Sequence, residues 1–128
     1  MNPTTVEWVA KSEEDWNMAR QLNRQRKDPS YSGVCFHCQQ SAEKYLKAYL
    51  IENNAPFART HDLLVLHQLI VQVQPTWQGL QLPLLSLNPF AVAYRYPGLS
   101  ATQADAKVAI KDCRKVRRAL RRALGLPV

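Results

Sequence analysis

The sequence predicts an all-α protein, an up-and-down antiparallel bundle of four or five helices. Apolar residues recur at spacings of three and four along several long segments, which is typical of amphipathic helices. Short stretches containing proline, glycine or asparagine separate these segments, and no stretch shows the strict alternation of a strand. Short connections between long helices favour an antiparallel bundle. The chain has 128 residues, so we expect residues 1–128 to form one helical domain.

Two long helices are predicted in the first half of the chain. The first spans about residues 5–27 and ends before Pro29, because proline disfavours helical backbone at the preceding residue and lacks an N–H. Ser12 and Asp15 have the spacing of a capping box, so a break or a second helix start near Ser12 stays open. The second helix spans about residues 30–53, and an Asn-Asn-Ala-Pro segment ends it.

A third helix is predicted between two turn segments. Thr60 is its expected N-cap, and Asp62 falls in its first turn, where a carboxylate suits the positive end of the helix dipole. Pro75 ends this helix. The following residues, 76–87, are apolar but include a glycine and a proline, so they favour a packed loop or a broken helix over a strand.

Two further helices are predicted towards the end of the chain. Asn88, as an N-cap followed by proline, would start a short helix through Tyr94. Thr102 and Asp105 form a variant of the capping box and open the last helix. Gly125 ends that helix, as glycine commonly does just beyond the last helical turn.

The positive charge of the chain is concentrated in the last helix. The chain has 17 Lys and Arg against 10 Asp and Glu, a net charge of +7. Residues 107–122 carry eight basic residues and one acid, Asp112, so this segment alone accounts for the net charge. It is either a solvated helix face or a surface that meets an anionic partner. Six residues form the predicted anionic-partner patch: Lys111, Arg114, Lys115, Arg118, Arg121 and Arg122.

Several protein classes are excluded by composition. No run approaches the roughly 18 apolar residues that a membrane-spanning helix needs. The first residues lack the basic start and apolar middle of a secretory signal. Cys35, Cys38 and Cys113 cannot all pair within one chain, so we expect a reduced, cytoplasmic protein. Cys35 and Cys38 form a C-x-x-C pair, which can hold a metal or act in redox chemistry, but no matching ligand pair exists, so we predict buried core cysteines, no metal and no cofactor.

Three segments, in order, carry a family resemblance. Residues 36–50 read Phe-His-Cys-Gln-Gln-Ser-Ala-Glu-Lys-Tyr-Leu-Lys-Ala-Tyr-Leu, residues 57–63 read Phe-Ala-Arg-Thr-His-Asp-Leu, and residues 94–98 read Tyr-Arg-Tyr-Pro-Gly. Together they resemble the HEPN family, the "higher eukaryotes and prokaryotes nucleotide-binding" domains. The resemblance runs from Trp8 to Leu124.

The resemblance implies a small prokaryotic cytoplasmic protein that is usually a homodimer. Such proteins are often encoded beside a minimal nucleotidyltransferase, and the two chains commonly act as toxin and antitoxin. Toxic members of the family are metal-independent RNases with an R-x4-6-H motif. Here no histidine follows Arg95, and seven residues separate Arg59 from His67, one beyond the upper limit. We therefore do not expect the standard RNase site.

The resemblance to a nucleotide-binding family suggests a phosphate site on the second helix and its neighbours. Arginine suits bidentate phosphate recognition, and lysine supplies a point charge. The predicted nucleotide-binding or phosphate-binding set is Lys44, Lys47, Arg95, Gln40 and His61. The alternative for the helix is an exposed polar face with an ion pair between Glu43 and Lys47.

Two members of this set also have structural interpretations. His61 either holds the preceding loop by a ring hydrogen bond, or contacts phosphate or transfers a proton with Asp62 as its orienting group. Arg95 is either a phosphate ligand or a residue that locks the bundle, with Tyr94 and Tyr96 packed on its stem.

These observations favour a binding and regulatory module that dimerises and binds a nucleotidyltransferase, a nucleotide or RNA. Whether the protein is an enzyme stays open. The alternative is a metal-independent RNase toxin with a non-standard site, for which Arg95, His61 and Lys44 are the first candidates. A third interpretation is an obligate partner subunit without a ligand of its own.

Overall fold

The computed structural model describes residues 1–128 and confirms the all-α prediction. It contains no strand, and two short 3-10 helices, Pro75–Leu80 and Asn88–Ala91, accompany the α-helices. The five α-helices are α1 (Pro3–Arg24), α2 (Tyr31–Glu52), α3 (Leu63–Val73), α4 (Gln81–Leu87) and α5 (Gln103–Ala123). None of these helices combines the length and the hydropathy that crossing a membrane requires.

The central element of the bundle is α2. Its neighbours α1, α3 and α5 all pack against it, and α4 packs against α5 and α3. Of the 22 residues of α2, 13 are buried. The side chains that fill the core form one cluster of 23 buried residues. Because α2 is covered on most sides, its polar residues must find partners within the protein.

The predicted ends of α2 and α5 are confirmed. The Ser30 hydroxyl accepts a hydrogen bond from the backbone N–H of Gly33 and so caps α2. Thr102 and Asp105 form the reciprocal capping box at the start of α5. At the other end of α5, Gly125 has φ +74°, a left-handed conformation that glycine adopts without steric penalty.

The first helix is continuous, so the break considered near Ser12 is wrong. Ser12 is buried, and its hydroxyl donates to the backbone carbonyl of Ser41 on α2 at 2.7 Å. Asp15 also faces α2 and caps nothing, because its carboxylate binds side chains of that helix. The helix ends at Arg24, three residues before the predicted end at Lys27.

The start of α3 also differs from the prediction. Asp62, and not Thr60, is the N-cap, since the Asp62 side chain accepts from the N–H of Leu64. The Asn88 side chain accepts from the N–H of Leu63 at 2.8 Å and donates to Asp62 at 3.1 Å. Asn88 therefore satisfies the start of α3 instead of opening its own helix, and only a 3-10 turn, Asn88–Ala91, follows, not a helix through Tyr94.

The segment after α3 is the broken helix that the sequence allowed. A 3-10 helix, Pro75–Leu80, leads directly into α4. The ring of His67 on α3 is buried, and its Nε2–H donates to the backbone carbonyl of Trp77 at 2.7 Å. This bond ties the 3-10 helix to α3.

All three cysteines are free and buried, as predicted for core residues. Burial and the nearby charge of Asp105 raise the pKa of Cys35 to about 12. A hydrogen bond with Cys113 and burial raise the pKa of Cys38 well above its usual range. All three side chains belong to the core cluster, where they pack between α2 and α5.

A single carboxylate, Glu13, joins α1, α2 and α5. Arg117 donates to its two oxygens at 2.8 and 2.7 Å, and the hydroxyl of Tyr45 donates to it at 2.6 Å. Arg121 lies 3.5 Å from the same carboxylate and donates to the Tyr45 oxygen at 3.0 Å. Burial alone would raise the pKa of Glu13, but the hydrogen bonds from Arg117 and Tyr45 outweigh it and lower that pKa.

We predict that Glu13→Gln lowers the free energy of unfolding by about 2 kcal/mol at pH 7, because it leaves Arg117 without an anionic partner. The matched control is Glu14→Gln. Glu14 makes only an exposed pair with Lys11 at 3.6 Å, so its loss changes stability by less than about 0.5 kcal/mol. Urea denaturation followed by circular dichroism measures both variants.

The stabilisation by Glu13 depends on pH in a defined direction. Its pKa is lower in the folded than in the unfolded chain, so its contribution is complete above the unfolded-state pKa of about 4.3. The contribution is lost as the pH falls through the folded-state pKa. The difference between wild type and Glu13→Gln therefore shrinks below about pH 4. Equal stability of wild type and Glu13→Gln at pH 7 would contradict this role of Glu13.

Candidate anion-binding surfaces

A groove runs between α4 and α5 and is lined by five basic side chains. It encloses about 830 Å³. Its α4 side contains Leu82, Pro83 and Ser86, and Leu80, just before α4, also lines it. Its cationic wall, which we name the basic groove, consists of Lys111, Arg114, Lys115, Arg118 and Arg122.

The five cations of the basic groove are exposed and lack ion-pair partners. None of them has a carboxylate within 4 Å, and the acid that lines the same groove is Asp112. Lys111, Lys115, Arg118 and Arg122 follow one another at spacings of four, three and four, so they share one side of α5. The groove therefore presents a continuous positive stripe to solvent.

The structure separates Arg121 from the other five members of the predicted patch. Its guanidinium turns towards α1, where it meets Glu13 and Tyr45, and it also donates to the backbone carbonyl of Pro127. Only 14% of its side chain is exposed. Arg121 points away from the basic groove because positions 117 and 121 lie on the side of α5 that faces α1.

The residues of the predicted phosphate set lie elsewhere, on α2 or beside it, and three of them, Lys44, Lys47 and His61, bind two carboxylates. The first is Asp15, which accepts from His37 Nδ1 at 2.8 Å and from Lys44 Nζ at 2.5 Å. Burial alone would raise the pKa of Asp15, but these two hydrogen bonds outweigh it and lower that pKa. The charge of Lys44 is therefore compensated by a carboxylate before any ligand arrives.

The second carboxylate is Glu43, whose side chain is 3% exposed. Lys47 Nζ donates to it at 3.1 Å, and His61 Nδ1 donates to it at 2.9 Å. The Lys47 ammonium also lies 5.3 Å from the ring centre of Trp8 and 5.9 Å from that of Phe57. The Glu43–Lys47 ion pair exists as the alternative interpretation expected, but it is buried and not part of an exposed face.

His61 is oriented by Glu43 and not by Asp62, which caps α3. Its ring bond and the bond from Gln39 Nε2 to its backbone carbonyl, 2.9 Å, anchor the loop before α3 on α2. This geometry agrees with the structural interpretation of His61. Gln40 donates to the side chain of Gln39 at 2.7 Å.

Arg95 is exposed and lies over the ring of Phe36, at 5.8 Å from its centre. It is not held between two tyrosines, because Tyr94 stacks on Phe90 and Tyr96 is 72% exposed. Phe36 precedes Lys47 by eleven positions, or about 16 Å along the helix axis. The structure therefore does not bring Arg95 and Lys47 to one phosphate.

The sequence reasoning missed the pair of His37 and Asp15. The two residues are 22 positions apart and meet only because α1 packs on α2. A usable signal was present: Asp15 stands next to Trp16 in the apolar stripe of α1, and a carboxylate there must find a partner when it is buried.

Comparison with known proteins gives one match. The sequence profile of the HEPN domain matches residues 5–123. No curated protein and no solved structure matches the chain. The profile match spans all five α-helices of the bundle and both surfaces described above. The chain belongs to the HEPN domain family.

Proposed function

We propose that this HEPN domain is a binding module that receives RNA in the basic groove. The observation that carries the proposal is the set of five exposed cations without carboxylate partners on one groove. Other basic residues, such as Lys44, Lys47, Arg117 and Arg121, are paired with carboxylates. Membership of a family related to nucleotides and RNA supports the same ligand class.

The dimensions of the basic groove favour a polyanion over a single phosphate. Lys111 and Arg122 are eleven positions apart, or about 16 Å along the axis of α5. Successive cations along this length can contact successive phosphates of one strand. The three arginines suit bidentate contacts to phosphate oxygens. Contacts of this kind do not read the base sequence.

We also propose a cytoplasmic homodimer that acts with a minimal nucleotidyltransferase as a toxin–antitoxin pair. The three motif segments of the family resemblance support this setting, and the free thiols agree with a reducing compartment. Copurification of a nucleotidyltransferase encoded in the adjacent reading frame tests the pairing, and the mass of the purified chain in solution tests the dimer.

We predict that the triple variant Lys115→Glu, Arg118→Glu and Arg122→Glu binds RNA at least tenfold more weakly than wild type. The reversal replaces three phosphate contacts by repulsion at the basic groove. Fluorescence anisotropy with a labelled 12-nucleotide RNA at fixed salt measures the affinity, and circular dichroism checks that the helices remain.

The matched control reverses Arg24, Arg26 and Lys27, which are exposed and lie at the end of α1 and in the turn after it. It changes the net charge of the protein by the same amount, and we expect less than a threefold loss of affinity. Equal losses in the two triple variants would show that only net charge matters. Unchanged binding in the basic-groove variant would make α5 a solvated helix face.

A second candidate function, RNA cleavage, is favoured by the two histidines on α2 and before α3. His37 and His61 each donate Nδ1–H to a carboxylate, and neither Nε2 has a hydrogen-bond partner in the protein. One ring, neutral, could take the proton of a ribose 2′-hydroxyl on Nε2 as this oxygen attacks phosphorus, while the other ring, as an imidazolium, would give its Nε2 proton to the leaving 5′-oxygen. The P–O5′ bond would break and a 2′,3′-cyclic phosphate would form, without a metal ion.

We predict that RNA stays intact when it is incubated with the pure protein without metal, because the chain lacks the R-x4-6-H spacing. Gel electrophoresis of structured and unstructured RNA measures cleavage. Cleavage by wild type that disappears in both His37→Asn and His61→Asn would establish the second candidate function instead. His67→Asn is the control, since His67 is buried and bonds the Trp77 carbonyl.

A further inference from the structure

We infer that the ligand of the basic groove is single-stranded RNA and that one of its bases stacks on Trp77. This inference rests on the proposed function, because it names the form of RNA that the same groove receives. Three points support it: the basic groove adjoins a cavity at Trp77, the Trp77 ring is held in place, and the bases of a duplex are not free to stack on it.

The basic groove continues into a second cavity at one end. This cavity has about 360 Å³ and is lined by Thr76, Trp77, Gly79, Leu80, Ala119 and Arg122. Leu80, Ala119 and Arg122 also line the basic groove, so the two cavities adjoin. No carboxylate lines the second cavity. A strand whose phosphates follow the cations of α5 is therefore led to Trp77.

Trp77 is fixed in place but not covered. Its ring packs against Tyr49 with 5.0 Å between ring centres and a tilt of 44°, and its backbone carbonyl accepts from His67. The residue is partly exposed, and the space beside Gly79 is open, since a Cβ atom at this glycine would meet no heavy atom within 4 Å. An indole held in this way loses little conformational freedom when a base packs on it.

The basic groove and the adjoining cavity at Trp77, together called the track, suit a strand with unpaired bases. Aromatic side chains stack bases regardless of base identity, and basic residues follow the backbone. The bases of a duplex are already stacked and paired, so a duplex can use the cations but not Trp77. The opposite wall adds apolar surface for bases, since Leu82 is 77% exposed and lines the basic groove.

Trp8 provides a matched control for Trp77. It is also partly exposed and lies near a cation, with Lys47 Nζ 5.3 Å from its ring centre. That cation is paired with Glu43, and the cavity beside Trp8 includes Glu7 and not the cations of α5. Removing Trp8 therefore tests the loss of an indole without touching the proposed track.

The experiment measures the affinity of wild type, Trp77→Ala and Trp8→Ala for a labelled single-stranded 12-nucleotide RNA and for a 12-base-pair RNA duplex. Trp77→Ala is expected to bind the single strand about tenfold more weakly and the duplex within twofold of wild type. Trp8→Ala is expected to match wild type on both. The fluorescence of Trp77, taken as the difference between wild type and Trp77→Phe, is expected to be quenched by the single strand.

Unchanged single-strand affinity in Trp77→Ala, or an equal loss on the duplex, would overturn the inference. The proposed function would still stand in that case, provided that reversal of Lys115, Arg118 and Arg122 weakens binding of both RNAs. If wild type binds neither RNA, the proposed function and the inference both fail. Should Trp77→Ala unfold, Trp77→Phe keeps the test decisive, since absence of Trp77 quenching in a folded, RNA-bound protein would also overturn the inference.

Discussion

Glu13 is the carboxylate that ties α5 to α1 and α2, beside the core packing of α5 on α2. It receives two hydrogen bonds from Arg117 and lies 3.5 Å from Arg121, so this side of α5 faces α1. The next positions, 118 and 122, then point elsewhere, because each step along an α-helix turns the side chain by about 100°. Arg117 and Arg121 occupy the side of α5 that faces Glu13, and Arg118 and Arg122 face the groove beside α4.

Carboxylates also bind the basic and histidine side chains on α2 and beside it. Asp15 holds His37 and Lys44, and Glu43 holds Lys47 and His61. A buried lysine without such a partner would be costly, so these pairs are a condition for covering α2 with its neighbours. Of the basic residues that have no carboxylate within 4 Å, five share the groove between α4 and α5. The net charge of +7 is thus concentrated in one helix, and the placement of five of its cations in one groove, more than the size of the charge, favours an RNA partner.

Local sequence patterns were sufficient for the helices and for caps whose partners lie within one turn. The Ser30 cap and the Thr102–Asp105 box need only neighbouring residues, and both are present. The predictions failed where a side chain found a partner in another helix. Ser12 bonds Ser41, and Asn88 bonds the start of α3, 25 positions away, so their local capping patterns had no effect.

The two candidate surfaces differ in how far the sequence predicts them, because one depends on local spacing and the other on partners in other helices. The basic stripe of α5 depends on helical spacing alone, so five of its six predicted members line one groove, whereas Arg121 belongs to the side that Glu13 holds. The phosphate set on α2 depends on tertiary partners that spacing does not reveal. The separation of Arg95 from Lys47, and the pairing of His37 with Asp15, follow from how α1 and the segment before α5 pack on α2.

The most direct test of RNA binding at the basic groove is the salt dependence of RNA affinity. Five unpaired cations that contact phosphates of a single strand predict a slope of about −3.5 for log affinity against log salt concentration, measured between about 50 and 300 mM salt. Reversal of Lys115, Arg118 and Arg122 should reduce the slope by about 2. A slope near zero, or the same slope in wild type and this variant, would contradict the assignment of the basic groove as the RNA-binding surface.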